Sequence, residues 1–149
     1  MTSTKEAFQL MCQNGMAAGA ASAVNIAKAE AELGVLFPAQ YKEFLAEFGA
    51  VLVESLEIYG LVDPVINEPP MWVDVVDVTK KLRGWEQAGT ERKHLLPISD
   101  DGTGVYFFLN TAHFNNAEIW GIGPGIDEVV ANCLYQFAAD HLAGNLSFQ

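Results

Sequence analysis

Three histidines, two cysteines and two polar, glycine-rich runs are the parts of this sequence whose residue types could do chemistry. His94, His113 and His141 are far too widely spaced for the i, i+4 geometry by which one helix offers two imidazoles to a metal. Cys12 and Cys133 stand near opposite ends of the chain, in neither a C-x-x-C pair nor any other metal-type spacing. They suggest no disulfide framework and suit a reducing cytoplasm. As a nucleophile Cys133 would need a base, and His141 lies too far along the chain to serve it readily. Cys133 shares an apolar stripe with Leu134 and Phe137, so a buried, inert thiol is expected. His141 itself is expected to meet the carbonyls that end its helix. Asp100-Asp101-Gly102-Thr103-Gly104 lacks the alternating oxygen ligands and closing Glu of a calcium loop and reads as a hairpin turn. Gly121-Ile122-Gly123-Pro124-Gly125 matches neither the dinucleotide nor the P-loop spacing and reads as a strand exit. No G-x-S-x-G nucleophile turn occurs. No catalytic residue, cofactor or metal is expected.

Charge is the feature that stands out. Nineteen Asp and Glu oppose eight Lys and Arg, a formal net charge of −11. Between Lys42 and Lys80 the only charges are Glu43, Glu47, Glu54, Glu57, Asp63, Glu68, Asp74 and Asp77, and from His94 to the end there is no Lys or Arg at all. Such a field repels phosphate backbones and anionic lipid, so direct binding of nucleic acid or a membrane surface is not expected. A basic protein is the natural partner, because attraction at long range speeds association and complementarity excludes wrong partners. Solubility alone would also explain an acidic surface. Tyr59, Trp72 and Trp120 lie near these acids and could anchor an interface, although aromatics so placed also build cores.

The elements that must position these residues can be read from periodicity. Residues 5 to 13 form a short helix stopped by Asn14-Gly15. Ile26, Ala29 and Leu33 mark a second helix closed by Gly34, and Tyr41, Phe44, Leu45 and Phe48 mark a third with Pro38 at its first position and Gly49 at its end. Val51 to Val53 and Leu56 to Tyr59 read as a strand pair, followed by punctuation at Gly60 and Pro64 and a rigid break at Pro69-Pro70. Asp74 and Asp77 at one end and Lys80, Lys81 and Arg83 at the other give the next helix the polarity that its dipole favours. Leu95 to Ile98, Val105 to Leu109 and Ile119 to Ile122, separated by turns at Asp101-Gly102 and Asn115-Asn116, form an antiparallel meander. A last helix is expected from about Asp127 to Leu142, with Val130, Cys133, Leu134, Phe137 and His141 on one face. Its 149 residues fit one domain (1–149) of the α+β class: a single, mainly antiparallel sheet packed on one side by N-terminal and C-terminal helices. Asp, Glu or Asn interrupts every apolar stretch before it reaches spanning length, and Glu6, Gln9, Gln13 and Asn14 break any signal-like core, so a soluble, cytoplasmic protein is expected.

The run IAKAEAELGVLFPAQYKEFLAEFG from Ile26 to Gly49 resembles the opening motif of the SUKH superfamily. The resemblance rests on Glu30, Leu33, Gly34, Phe37, Pro38, Tyr41, Lys42, Phe44, Leu45, Phe48 and Gly49, and LEIYGL from Leu56, LLPISDDGTGVYFFLNT from Leu95, EIW at Glu118 to Trp120 and a closing helix with Phe137 follow in the family's order. It implies an α+β fold and no enzymatic activity. Bacterial members are chiefly immunity proteins that neutralise a cognate toxin, commonly a nuclease or deaminase, and fungal relatives regulate cell-wall assembly. The expected function is therefore an immunity protein, with a non-enzymatic regulatory scaffold as the alternative. Expected partner contacts, chosen for charge or aromatic character beside loops and sheet edges, are Glu54, Glu57, Tyr59, Asp63, Trp72, Asp74, Asp77, Asp100, Asp101 and Glu118. Reversing Glu57 and Asp74 to Lys is expected to slow capture, less so at high salt.

Overall fold

The computed structural model describes residues 5–62, 72–114 and 117–144. Asp63, the Pro69-Pro70 break and the Asn115-Asn116 turn lie outside the described residues. The elements run α1 (Lys5–Asn14), β1 (Met16–Ala17), α2 (Ala23–Leu33), α3 (Ala39–Glu47), β2 (Val51–Val53), β3 (Leu56–Ile58), α4 (Val75–Gly84), β4 (Leu95–Asp100), β5 (Tyr106–Asn110), β6 (Ile119–Gly123), β7 (Ile126–Ala131) and α5 (Leu134–Ala143).

Local chemistry explains the helix boundaries. Ser22 caps α2 by accepting from Asn25 N at 3.1 Å, and Gly34 closes it at φ 72°, a left-handed conformation that glycine adopts at little cost. Pro38 sits one position earlier than expected, as the residue before α3, where its extended backbone turns the chain into the helix. Asp74 caps α4 by accepting from Val76 N at 2.8 Å and Asp77 N at 3.0 Å, and Lys81 and Arg83 occupy the last turn, as the dipole favours.

The α+β class holds, with the strands divided between two antiparallel sheets of order β1-β2-β3 and β4-β5-β6-β7. They meet where Tyr59 N donates to Ile98 O at 2.7 Å and Ser99 Oγ donates to Glu57 O at 2.6 Å. In the pairing of β4 with β5 the register shifts between Pro97 and Ser99, beside a proline that cannot donate. The expected last helix is corrected. Ile126–Ala131 is a strand paired with β6 through a turn at Pro124-Gly125, so the glycine-rich run is the exit of β6, as expected, and leads into a hairpin in place of a helix. The β-branched residues Ile126, Val129 and Val130 favour the extended form, and Gly125 at φ 78° supplies the reversal. Helix α5 begins only after Cys133, which stands at its N-cap and is half-buried, not on its apolar stripe.

One core draws on all five helices and both sheets, with Phe37, Tyr41, Phe107 and Phe137 among its fully buried side chains. Strand alternation puts Leu96, Ile98, Phe107 and Leu109 into this core and turns Leu95, Phe108 and Ile122 to the opposite face of the larger sheet. There they form a second cluster flanked by Tyr106 and Trp120, and Gly89 in the segment after α4 lies directly against Phe108 and Ile122. The larger sheet is therefore covered in part on its outer face as well. Glu30 is buried because it has work inside: its carboxylate accepts from Phe37 N at 2.7 Å and lies 4.0 Å from Lys42 Nζ. Glu30→Ala leaves that buried N–H without an acceptor and is expected to lower stability by about 1–3 kcal/mol, read from urea denaturation.

Candidate functional site

The junction of the two sheets gathers several of the acids and aromatics singled out in the sequence. Tyr59, expected as a partner contact, is instead a core residue: it follows β3, is buried, and donates its hydroxyl to Asp100 Oδ1 at the end of β4, while Tyr41 donates to Tyr59 O at 2.6 Å from the core. Asp100 also accepts from Gly102 N at 3.1 Å. Tyr106, the register partner of Asp100, stands beside it on β5. Glu57 projects from β3 on the side opposite buried Leu56 and Ile58, and the Val73 N–H donates to its carboxylate. Gly60 N donates to Val73 O and Val75 N to Gly60 O, so the segment carrying Trp72, Val73 and Asp74 is laced to the chain leaving β3. Trp72 and Asp74 line a shallow groove of about 220 Å³ with Val73, Asp77, Val78 and Lys81.

Electrostatics follow from this crowding. Burial first, and then the Asp100 carboxylate, hold the Glu57 carboxyl above its ordinary value of 4.5, with the Val73 N–H opposing part of the rise. Burial also raises Asp74, against the pull of the two helix N–H groups that it caps. The Tyr59 and Tyr106 phenols are both pushed up, by burial first and by Asp100 after it, so each remains a hydroxyl donor. Because the folded chain raises the Glu57 value, the stability this group contributes is present below pH 4.5 and is lost as pH rises through the raised value. Glu57→Gln, which still accepts from Val73, is expected to be more stable than the parent near pH 7 and no more stable below about pH 4, read from urea midpoints at the two pH values.

The other expected contacts have different fates. Glu54 is exposed at the β2–β3 hairpin tip at φ 53°, and Asp77 is exposed in the first turn of α4. Asp101 is taken up inside its turn, accepting from Thr103 N at 2.8 Å and Thr103 Oγ1 at 2.7 Å. Glu118 accepts from Asn110 Nδ2 at 3.1 Å and Trp120 Nε1 at 2.9 Å, which hold its carboxyl below the usual range. Asp74 is primarily a helix cap, so reversing it tests the stability of α4 before it tests any partner. Tyr106, Arg92 and Trp85 were missed. Tyr106 was legible only as a strand residue, and Arg92 gains its place over the Trp120 ring, 5.4 Å from the centroid, through a non-local contact. Trp85, 63% exposed with Lys81 Nζ 5.0 Å from its ring centroid, sits just past the end of α4, where only the glycine stop is legible in the sequence.

Cys133 and His141 do not form a nucleophile–base pair. They sit at opposite ends of α5. The His141 ring packs against Phe137 and Phe107, with centroids 5.9 and 6.2 Å away, and its Nδ1 has no partner among the described residues. Burial lowers its basicity, partly offset by Asp101, and that nitrogen does not turn back to the helix carbonyls as expected. Burial, helped by Glu47, pushes the Cys12 thiol up to about 12, the opposite of an activated thiolate. Among the described residues no group of three or more His, Cys, Asp or Glu is placed to hold a metal ion, and no helix is long and apolar enough to cross a membrane.

The chain belongs to the SUKH family described as SMI1-KNR4 cell-wall (SUKH_5), which matches residues 5–143. Members of this family are in general non-catalytic immunity or regulatory proteins. A crystal structure of a protein from Pseudomonas syringae pv. tomato superposes with a TM-score of 0.66 at 18% identity, over 92% of this chain and 96% of that one, which shows a shared fold. No curated protein matches the sequence.

Proposed function

We propose that this protein is an immunity protein that binds and neutralises a cognate polymorphic toxin, a basic nuclease or deaminase domain, by covering the toxin's cationic substrate surface. The observation that carries this reading is the strip at the sheet junction, where the partly buried Glu57, Asp100 and Tyr106 are assembled from three separate stretches of chain, with Tyr59 buried beneath them, in a protein of net charge −11. A nuclease holds phosphates on a cationic surface, and an acidic, aromatic-lined body occupies such a surface as nucleic acid would. Membership of a family whose bacterial representatives are chiefly immunity proteins supports the same reading.

Co-expression with a candidate toxin domain from a neighbouring gene tests this directly. Survival of the host together with co-purification of a stoichiometric complex is the expected result. Cell death on co-expression, with no complex recovered, overturns the reading and leaves the regulatory scaffold that the family's cell-wall description favours.

A further inference from the structure

Asn14-Gly15 is the only Asn-Gly pair in the chain. In an unfolded backbone such a pair is more labile than other Asn-containing pairs, because a glycine nitrogen, with no side chain beside it, reaches the preceding Asn Cγ unhindered. The fold places the pair at a joint one residue long: α1 ends at Asn14, which is exposed, and β1 begins at Met16. Gly15 N donates to Cys12 O at 3.2 Å, and Met16 and Ala17 pair with Leu52 and Val51. Ala18 N and Gly19 N continue the attachment, donating to Ala50 O and Phe48 O at 2.9 Å each. Glycine is required at the joint, since a Cβ on Gly15 would lie 2.5 Å from Val53 Cγ2 and 2.6 Å from Leu52 O. Packing thus imposes the reactive half of the pair. The same packing keeps it from reacting, because the helical backbone at Asn14 turns the Gly15 nitrogen away from Cγ and the hydrogen on that nitrogen is engaged.

We propose that Asn14-Gly15 is a deamidation site that reacts when the joint between α1 and β1 opens, and that its product keeps the joint from closing again. On opening, Gly15 N gives up its proton to water and attacks Asn14 Cγ. The C–N bond of the side-chain amide breaks, ammonia leaves with a proton, and a five-membered succinimide closes. Water then adds to one of the two imide carbonyls. One opening of the ring leaves aspartate at position 14. The other leaves isoaspartate, in which the main chain runs through the side-chain carbons and gains one carbon, a length that the single residue between α1 and β1 cannot absorb without shifting the register with β2. Either product sets a new carboxylate at the end of α1, where the helix dipole disfavours an anion and the last turn holds no base. The modification is therefore a one-way chemical record of local opening, independent of what the protein captures.

The test uses the full chain, incubated in mildly alkaline buffer both folded and in urea, with aspartate and isoaspartate at position 14 followed by peptide mass spectrometry. Deamidation is expected to run at least about tenfold slower in the folded chain than in urea. Phe8→Leu keeps a buried apolar side chain but loses the ring contacts that hold α1 against Phe44 and Tyr135, with centroids 6.0 and 4.9 Å away. It is expected to raise the folded rate by about fivefold or more and to leave the rate in urea unchanged. Should that variant not fold, Gln9→Ala, which removes only the exposed hydrogen bond to Glu47 at 2.8 Å, carries the same comparison with a smaller rise. The isolated isoaspartyl form is expected to lose amide-exchange protection at Ala18 and Gly19 by about tenfold or more, with the four-stranded sheet unaffected. Equal rates in the folded chain and in urea, a folded rate that neither variant raises, or parental exchange at Ala18 and Gly19 in the isoaspartyl form each overturns the proposal. Asn14→Ser is expected to abolish the isoaspartate signal, and a signal that persists in it assigns the chemistry to another residue and overturns the proposal as well.

Discussion

Gly60→Ala is expected to abolish cooperative folding. A methyl group at Gly60 would overlap the Gly49 carbonyl oxygen, lie 2.7 Å from the Gly49 carbonyl carbon and press on Leu45 Cδ2 at 3.1 Å. The first two obstacles are backbone, and that backbone is committed: Leu61 N donates to Gly49 O at 2.9 Å, and Gly19 N donates to Phe48 O at 2.9 Å. Gly49 is itself at φ 76°, and a Cβ there would meet Gly19 O and, at 2.8 Å, Leu61 O. Three stretches of chain cross here at glycine-only distances, so relief requires parting the connection after α1 from the exits of α3 and β3. The loss is expected to be on the order of 4 kcal/mol or more, a large part of a typical domain's stability. Urea denaturation and amide shift dispersion read it. Gly84→Ala is the matched control, since it lies at the end of α4 with nothing within 4 Å of an added Cβ; it is expected to be neutral or to stabilise by up to about 1 kcal/mol.

The second large effect is kinetic. Glu54→Lys combined with Asp77→Lys takes the net charge from −11 to −7, each reversal removing one negative charge and adding one positive. Both residues are exposed, so the change acts through the field and not through the core. Asp77 does stand in the first turn of α4, where the lost dipole interaction costs about 0.3–1 kcal/mol, too little to unfold the domain. Association with the basic toxin is expected to slow by about tenfold at low ionic strength with little change in dissociation, and the two proteins are expected to converge near 1 M salt, where the screening length is about 3 Å. Stopped-flow association over a salt series measures this. Equal association rates at low salt would remove electrostatic steering from the proposed function, while leaving open a capture built on aromatic contacts.

These two variants also separate what is local in this protein from what is not. The boundaries of α1, α2 and α4, the β2–β3 hairpin and the β4–β5–β6 meander were legible because each rests on neighbours in sequence: an apolar stripe at helical spacing, a capping residue, a glycine able to turn left. The last helix misled for the same reason. Val130, Leu134, Phe137 and His141 share a helical spacing, but Val130 lies beside Gly121 on the neighbouring strand, with its Cγ1 3.1 Å from where a Gly121 Cβ would stand. Pairing with β6 overrides the local periodicity. Asp101 and Glu118 looked free because nothing in a linear chain announces that Thr103, Asn110 and Trp120 will consume their oxygens.

By itself the sequence determined the family motif, the α+β class, the acidic field and the absence of familiar catalytic spacings, because these depend on composition and on offsets of a few residues. Only the tertiary structure decided that the strands form two sheets, that Glu57 and Asp100 share one half-buried strip with two phenols, and that β7 borders the larger sheet while β4 is covered. Each of those facts depends on which distant segments become neighbours, and that is set by burial of a common core and by backbone pairing between strands, neither of which is encoded in spacing along the chain.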